Sequence, residues 1–236
     1  MIDATHFVLD LETLSTAPNA AIVAIGCVRV EHGKVVDEFY ERVDLESARA
    51  QGGQVDTATL QWWLTQPDEA RREISGELPG VHITAALAGL RAFMLHGGLT
   101  EARPLVWGNG SSFDNVIVRS AFERAGIPEP WRFWNDRDLR TLLALRGLTK
   151  RSVLFEGTEH HALHDARHEA RLLIQALWPQ QVEPAPAQIE QQPEQSMWLE
   201  MIDAAMIEMR NIAPPLRRSE CERLIRAALA AQGAVA

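Results

Sequence analysis

The sequence predicts an α/β fold with a mixed β-sheet flanked by helices. Residues 7–12 alternate apolar and polar side chains, the pattern of a strand with two different faces. Two more apolar segments, 21–30 and 35–43, flank a turn whose glycine is Gly33, so the chain begins as three hairpin-linked strands. Helical periodicity then surrounds a short buried strand at 104–108. Hairpins combined with a later strand and crossover helices give a mixed sheet.

Two helices are expected between the hairpins and the strand at 104–108. Thr57 is a candidate cap for the first, which carries Leu60, Trp63 and Leu64 and stops at Pro67. The second covers 84–96 and ends at Gly97-Gly98.

Three further helices follow the strand. Ser111, Ser112 or Asp114 can cap the first of them, which closes at Gly126-Ile127-Pro128. Segments 138–145 and 161–177 are the other two.

Composition places the chain among ordinary globular proteins. Of 236 residues, 46% are hydrophobic and 23% charged. The longest apolar run, 20–28, is too short to cross a bilayer, and the N-terminus has no secretion signal, so we expect a cytoplasmic protein that does not bind membranes. The two cysteines, Cys27 and Cys221, support neither a disulfide framework nor a thiolate zinc site.

The net charge restricts the nucleic-acid partners. A formal charge of −9 disfavours a protein that coats duplex DNA, because that mode requires an excess of Lys and Arg. An enzyme that grips a few terminal nucleotides with the help of metal ions remains compatible with this charge.

The domain organisation follows from a change in composition. We expect a catalytic domain at 1–178, a linker rich in Pro, Gln and Glu at 179–195, and a helical tail of two short helices at 196–236. The second tail helix begins with a capping box, Ser219 and Glu222. Two short helices cannot bury both of their apolar stripes alone, so the tail is expected to dock on the main domain or on another subunit.

Three clusters carry residues suited to chemistry. Asp10 and Glu12 alternate on the first strand and therefore point the same way, as ligands of Mg²⁺ or Mn²⁺ do. Two solvated acids on an exposed face are the alternative. Asp114 follows a Gly- and Ser-rich turn, where a helix cap or first-turn acid is the competing interpretation.

The third cluster opens the last helix of the main domain with four histidines in nine residues, at 160, 161, 164 and 168. Five residues turn a helix by roughly 500°. His160 and Asp165 therefore share one site only if His160 lies in the loop before the helix. A solvated helix face or a metal-binding histidine tract are the alternatives.

Together the three clusters resemble the DEDDh 3′-5′ exonucleases of the ribonuclease H-like superfamily, which share Asp-x-Glu, a central Asp and His-x₄-Asp in this order. The resemblance covers residues 1–178. Within it, three longer motifs are similar to the exodeoxyribonuclease VIII-like branch: Trp62-Trp63-Leu64-x-Gln66, Trp107-Gly108-Asn109-Gly110-x-x-Phe113-Asp114-Asn115 and Arg137-Asp138-Leu139-Arg140-Thr141.

The resemblance implies a mechanism. Asp10, Glu12, Asp114 and Asp165 would hold two divalent cations, Mg²⁺ or Mn²⁺, about 4 Å apart. His160 would accept a proton from the attacking water. The substrate would be the 3′ end of single-stranded DNA or RNA, and the product a nucleoside 5′-monophosphate.

The resemblance also implies substrate contacts and an assembly. Thr13 and Leu14 would contact the terminal sugar and base, and Asn109 and Phe113 belong to the same substrate-binding set. Many relatives are dimeric, so a homodimer is expected by analogy.

Aromatic and basic residues near these motifs have two interpretations each. Trp62 and Trp63 can be core residues or base-stacking platforms, and one can be core while its neighbour faces the groove. The basic residues Arg137, Arg140, Arg146, Lys150 and Arg151 either steer phosphate or form a solvated helix face.

Two other functions compete with the exonuclease. His164-Asp165 within the histidine tract also occurs in HD-type metal phosphohydrolases, whose fold is all helix. A catalytically silent exonuclease fold that serves binding or assembly is the other, but such a protein would usually have lost one of the acids.

Overall fold

The computed structural model describes residues 4–179. In chain order the elements are β1 (His6–Thr13), β2 (Ile22–Glu31), β3 (Lys34–Arg42), α1 (Leu45–Ala50), α2 (Thr57–Leu64), α3 (Asp68–Arg71), α4 (Ile83–Met94), β4 (Leu105–Gly108), α5 (Asp114–Ala125), β5 (Asp136–Asp138), α6 (Leu139–Arg146) and α7 (Ala162–Leu177). None of the helices within 4–179 is both long and apolar enough to cross a membrane.

The five strands form one mixed sheet in the order β3-β2-β1-β4-β5. The hairpin-linked strands β1, β2 and β3 run antiparallel, whereas β4 lies parallel to β1 and β5 parallel to β4. This confirms the predicted α/β class and the predicted mixed sheet. An all-helical HD-type phosphohydrolase is therefore wrong for this chain.

The central strand β1 supplies side chains to both faces of the sheet. Phe7, Leu9 and Leu11 pack in a core with residues of α4 and α5. Val8 points the other way, into a second core formed with α6 and α7. Because strand side chains alternate, Asp10 lies on the α7 face with Val8.

Several helix starts differ from the sequence prediction. Asp56, and not Thr57, caps α2: its side chain accepts a hydrogen bond from the Thr59 N–H, and Thr57 is the first helical residue. At α5 neither serine nor Asp114 acts as a cap, because Phe113 occupies the cap position without a side-chain hydrogen bond. The predicted closure of α5 is confirmed by Gly126, whose φ of 65° lies in the left-handed region.

Strand β5 was not predicted, because its three residues, Asp-Arg-Asp, are all polar. The sequence assigned Asp138 to the following helix, whereas in the structure Asp138 ends β5 and caps α6 through the Thr141 N–H. The predicted linker from residue 180 onward, the helical tail at 196–236 and Cys221 lie outside the described residues, and these expectations remain predictions.

Candidate active site

A cavity of about 500 Å³ opens where the second half of β1, the loop after β4 and the first turns of α5 and α7 meet. All five predicted catalytic residues line it, together with three of the four predicted substrate contacts: Asp10, Glu12, Thr13, Asn109, Phe113, Asp114, His160 and Asp165. Residues that are 155 positions apart in the sequence thus converge on one space.

The acids Asp10, Glu12 and Asp165 form the tightest group in the cavity. One carboxylate oxygen from each lies within 4.8 Å of the others. Loss of water contact raises the pKa of Asp10 and of Glu12 well above the usual range, and repulsion from neighbouring carboxylates, Asp165 and Asp114 among them, adds to the rise. The folded protein therefore holds these acids in a place where their charges need neutralisation.

Asp114 completes the set from the first turn of α5. Its Oδ1 accepts a hydrogen bond from the backbone N–H of Leu11 at 3.2 Å, which ties the helix start to the strand between the two acids of β1. Burial raises the pKa of Asp114 to about 7, although backbone hydrogen bonds act in the opposite direction.

His160 lies in the loop immediately before α7, as the sequence predicted. Its φ of 62° places it in the left-handed region. This backbone turn lets His160 and Asp165 reach the same cavity although a regular helix would separate them. The next residue, His161, donates its backbone N–H to Asp165 Oδ2 at 3.2 Å, so the loop and the acid are joined directly.

The adjacent tryptophans divide between core and cavity. Trp63 is 1% exposed, and its indole Nε1 donates to the Thr13 carbonyl at 2.9 Å. Trp62 is 43% exposed, lines the cavity and meets the His160 ring edge-on with centroids 4.9 Å apart. The geometry thus matches the mixed interpretation, with one core residue and one groove residue.

Leu14 does not line the cavity. It is 1% exposed and packs with Val23, Trp63 and Ala70 in a small separate cluster. The buried side chain does not support the expected contact between Leu14 and a terminal base, which stays a prediction. Thr13 does reach the cavity, and its hydroxyl donates to the Ser15 carbonyl at 2.8 Å.

Sequence reasoning missed a fifth acid, Glu169. It lines the cavity one helical turn after Asp165, and its 2% exposure makes it one of the most buried charged residues described. Burial raises the pKa of Glu169 to about 8. The i, i+4 spacing from Asp165 was the available signal, since it places both side chains on one helix face.

Two of the basic residues noted in the sequence also reach the cavity, Arg140 and Lys150. Arg140 Nη2 donates to the Asn109 carbonyl at 3.0 Å, which fixes its guanidinium beside the loop after β4. Positive charge is therefore available at an otherwise acidic site.

The donor set suits a hard divalent cation. Carboxylate oxygens are the ligands that Mg²⁺ and Mn²⁺ prefer. Two oxygens on opposite sides of one Mg²⁺ lie about 4.2 Å apart, twice the Mg–O distance of about 2.1 Å. The 4.8 Å spread of the Asp10, Glu12 and Asp165 oxygens is close to that span, so these residues fit a metal site.

The fold and the acidic cavity define the class of protein: a nuclease hydrolase with a mixed sheet of the ribonuclease H-like type. A family model described as a 3′-5′ exoribonuclease Rv2179c-like domain matches residues 5–197, and the chain belongs to this family. This match confirms the resemblance at the level of a 3′-5′ exonuclease.

A curated relative and solved structures are also similar to the chain. The chain is 26% identical to the exodeoxyribonuclease of Enterobacteria phage T4 over 219 residues, which cover 79% of this chain and 96% of the phage protein. A zinc-bound complex of Escherichia coli exonuclease I with single-stranded DNA superposes with a TM-score of 0.53 at 18% identity.

A second structure of exonuclease I, described as suggesting how processivity is achieved, gives the same TM-score of 0.53 and 18% identity. These superpositions cover 75% of this chain but only 41% and 42% of the exonuclease I chains, so the chain spans about two fifths of the length of those proteins. At this identity the likeness establishes the shared fold.

Proposed function

We propose that the chain removes nucleotides one at a time from the 3′ end of a single-stranded nucleic acid and releases nucleoside 5′-monophosphates. The observation that carries this proposal is the convergence of four separated acids and one loop histidine on a single open cavity. This convergence also disfavours a catalytically silent binding protein, since every required side chain is present and faces the same space.

Asp10, Glu12, Asp114 and Asp165 are the residues that would hold two divalent cations, Mg²⁺ or Mn²⁺. Cations bound there supply charge neutralisation for the attacking and leaving oxygens of an in-line displacement. The protein's part is to fix the carboxylates before the substrate arrives. The backbone N–H of Leu11 donates to Asp114 on α5, and the backbone N–H of His161 donates to Asp165 on α7. These two hydrogen bonds hold the carboxylates in place.

His160 is the proposed general base. A neutral imidazole at the cavity wall accepts a proton from the attacking water, whose oxygen forms the new bond to phosphorus while the bond to the 3′-oxygen of the penultimate nucleotide breaks. Burial raises the pKa of Asp165, and the neighbouring charge of His160 acts in the opposite direction. An ionised Asp165 beside the ring in turn stabilises the imidazolium formed by proton transfer.

The cavity wall offers contacts for the terminal nucleotide. Trp62 presents an exposed aromatic surface, on which an unpaired base can stack. Arg140 and Lys150 lie on the same cavity and suit the phosphates. Thr13, Asn109 and Phe113 remain the proposed substrate contacts from the sequence, and they lie within reach because all three line the cavity.

The relatives support a polynucleotide substrate while differing in its sugar. The family description specifies an exoribonuclease, the phage T4 relative is named an exodeoxyribonuclease, and the exonuclease I complex contains single-stranded DNA. We propose membership of the exodeoxyribonuclease VIII-like branch on the motifs at 62–66, 107–115 and 137–141. Both sugars therefore belong in the first assay.

The decisive experiment is a time course on 5′-labelled single-stranded DNA and RNA of one sequence, with Mg²⁺, with Mn²⁺ and with EDTA. We expect a ladder that shortens from the 3′ end, requires metal and is lost in Asp165→Asn. Glu123→Gln, which removes one exposed charge on α5, is the matched control and retains full activity. Wild-type rates in Asp165→Asn would refute the mechanism, and absence of cleavage under any metal would refute the substrate.

We also propose the domain boundaries and a homodimer. All the described residues that line the cavity lie within 1–178, so a 1–178 truncation should keep the cleavage activity. Gel filtration of the full chain beside this truncation tests whether 179–236 contributes to a dimer. If the full chain and the truncation elute with the same number of subunits, residues 179–236 do not contribute to a dimer.

A further inference from the structure

Glu169 is an acid that the four-carboxylate pattern does not use. It lies on the second turn of α7, four residues after Asp165, and faces the same cavity. Packing of α7 against the sheet leaves Glu169 2% exposed, so water has almost no access to its carboxylate. A buried acid in such a place needs partners that compensate its lost hydration.

The protein satisfies only part of the Glu169 carboxylate. The Asn109 side chain, on the loop after β4, favours its charged form. The oxygen Oε2 is buried and has no hydrogen-bond partner within residues 4–179. A buried oxygen without a partner is unfavourable, and more so when it is charged. This oxygen therefore remains available to bind a ligand in the cavity.

The charges around Glu169 show what that oxygen can bind. Asp114 and Asp165 act on Glu169 as neighbouring negative charges, and Glu169 acts in turn on Asp10 and Glu12. Lys150 is the nearby cation that acts on it. One ammonium cannot offset five clustered carboxylates, whereas a divalent cation carries two charges and prefers oxygen ligands.

We propose that Glu169 is a fifth carboxylate of the cation site, in which Oε2 binds a divalent cation or a water molecule in its coordination shell. The inference rests on the proposed metal-dependent function and adds a residue that the DEDDh pattern does not contain.

Metal binding provides a test that does not depend on turnover. Glu169→Gln keeps the size of the side chain and one carbonyl oxygen, but removes the charge. In calorimetric titration of the full chain with Mn²⁺, we expect this variant to bind the cation at least about 10-fold more weakly than wild type. Glu123→Gln makes the same charge change at an exposed position of α5, and this variant should bind Mn²⁺ like wild type.

Thermal unfolding separates metal binding from a packing role. If Glu169 binds metal, Glu169→Gln matches or exceeds the wild-type Tm in EDTA, because repulsion is removed, and gains less Tm on addition of Mn²⁺. A purely structural Glu169 gives the opposite result: a lower Tm in EDTA and an unchanged Mn²⁺ affinity. That result would overturn the inference.

Asp10→Asn is the reference that distinguishes the two proposals. If Asp10→Asn loses Mn²⁺ binding while Glu169→Gln keeps it, the cation site stands and the inference about Glu169 fails. If Asp10→Asn itself binds Mn²⁺ like wild type, the proposed cation site fails.

Discussion

Gly26 on β2 lies directly beneath the backbone of Ala162 at the start of α7. A β-carbon on Gly26 would approach the Ala162 carbonyl oxygen to 2.2 Å, far inside any normal contact. Gly26 also pairs with Asp10 in the sheet register. The absent side chain therefore lets the helix that carries Asp165 and Glu169 approach the strand that carries Asp10 and Glu12.

Gly26→Ala should displace the N-terminal turn of α7. We expect a loss of about 1–3 kcal/mol in the free energy of unfolding, the usual range for overpacking, and a larger loss of exonuclease activity because the acids separate. Urea denaturation and the cleavage assay measure the two effects. Gly89→Ala on α4 is the control, because its added carbon meets only the Phe39 ring at 3.2 Å. Wild-type activity in Gly26→Ala would show that the close approach is not required.

Trp62 and Trp63 offer a pair of neighbouring substitutions with different expected effects. Trp62→Ala should leave the Tm nearly unchanged and raise the KM for single-stranded substrate, since base stacking contributes about 1–3 kcal/mol per base. Trp63→Ala should cost about 3–5 kcal/mol of stability, because it empties a buried site and removes the hydrogen bond to Thr13. Equal effects of the two substitutions on KM would exclude the assignment of Trp62 to the substrate.

His160→Asn tests the general base without disturbing the loop. Asn tolerates the positive φ of 62° at this position better than Ala does, so the backbone is expected to stay in place. We expect kcat to fall by about 10²- to 10⁴-fold, with Mn²⁺ affinity close to that of wild type. Steady-state kinetics and calorimetry give the two values. A variant that retains most of kcat would assign the proton transfer to another group.

The buried acids predict how the stability of the metal-free protein depends on pH. Burial raises the pKa of Asp114 to about 7 and that of Glu169 to about 8, above the values of the unfolded chain. The folded protein thus binds these protons more tightly, and the stability they contribute at low pH is lost as the pH rises through 7 and 8. In EDTA, the Tm should therefore fall between pH 6.5 and 8.5.

Histidines set the lower limit of that window. Burial lowers the pKa of His161 to about 4 and also lowers that of His168. The contribution of these two residues to the free energy of unfolding therefore increases with pH. The increase ends near pH 6.5, where histidines of the unfolded chain lose their protons. Above this value the carboxylates dominate. Saturating Mg²⁺ should remove the fall in Tm, since the cation replaces the protons. A metal-free Tm that stays flat or rises across the window would contradict the pKa assignments.

Local patterns in the sequence were sufficient for most of the fold. The strands β1 to β4 follow from alternation and apolar runs, and the ends of the long helices follow from glycine and proline. The polar strand β5 could not be predicted, because its three residues gain their strand conformation only by pairing with β4. The cap of α2 is Asp56 and not Thr57. Both residue types are suitable helix caps, so the sequence alone did not distinguish them.

The sequence by itself determined which residue types were available: five residues in a recognisable order, on elements whose periodicity indicates where they point. Only the tertiary structure decided which of them meet. Of the neighbours Thr13 and Leu14, packing buries Leu14 in the core. Of the neighbours Trp62 and Trp63, it buries Trp63 and leaves Trp62 exposed. No local pattern in the sequence specifies which neighbour is buried. Glu169 joined the site because Gly26 lets α7 lie close to the sheet. Such long-range contacts depend on how the helices pack on the sheet, and local sequence patterns do not specify that packing.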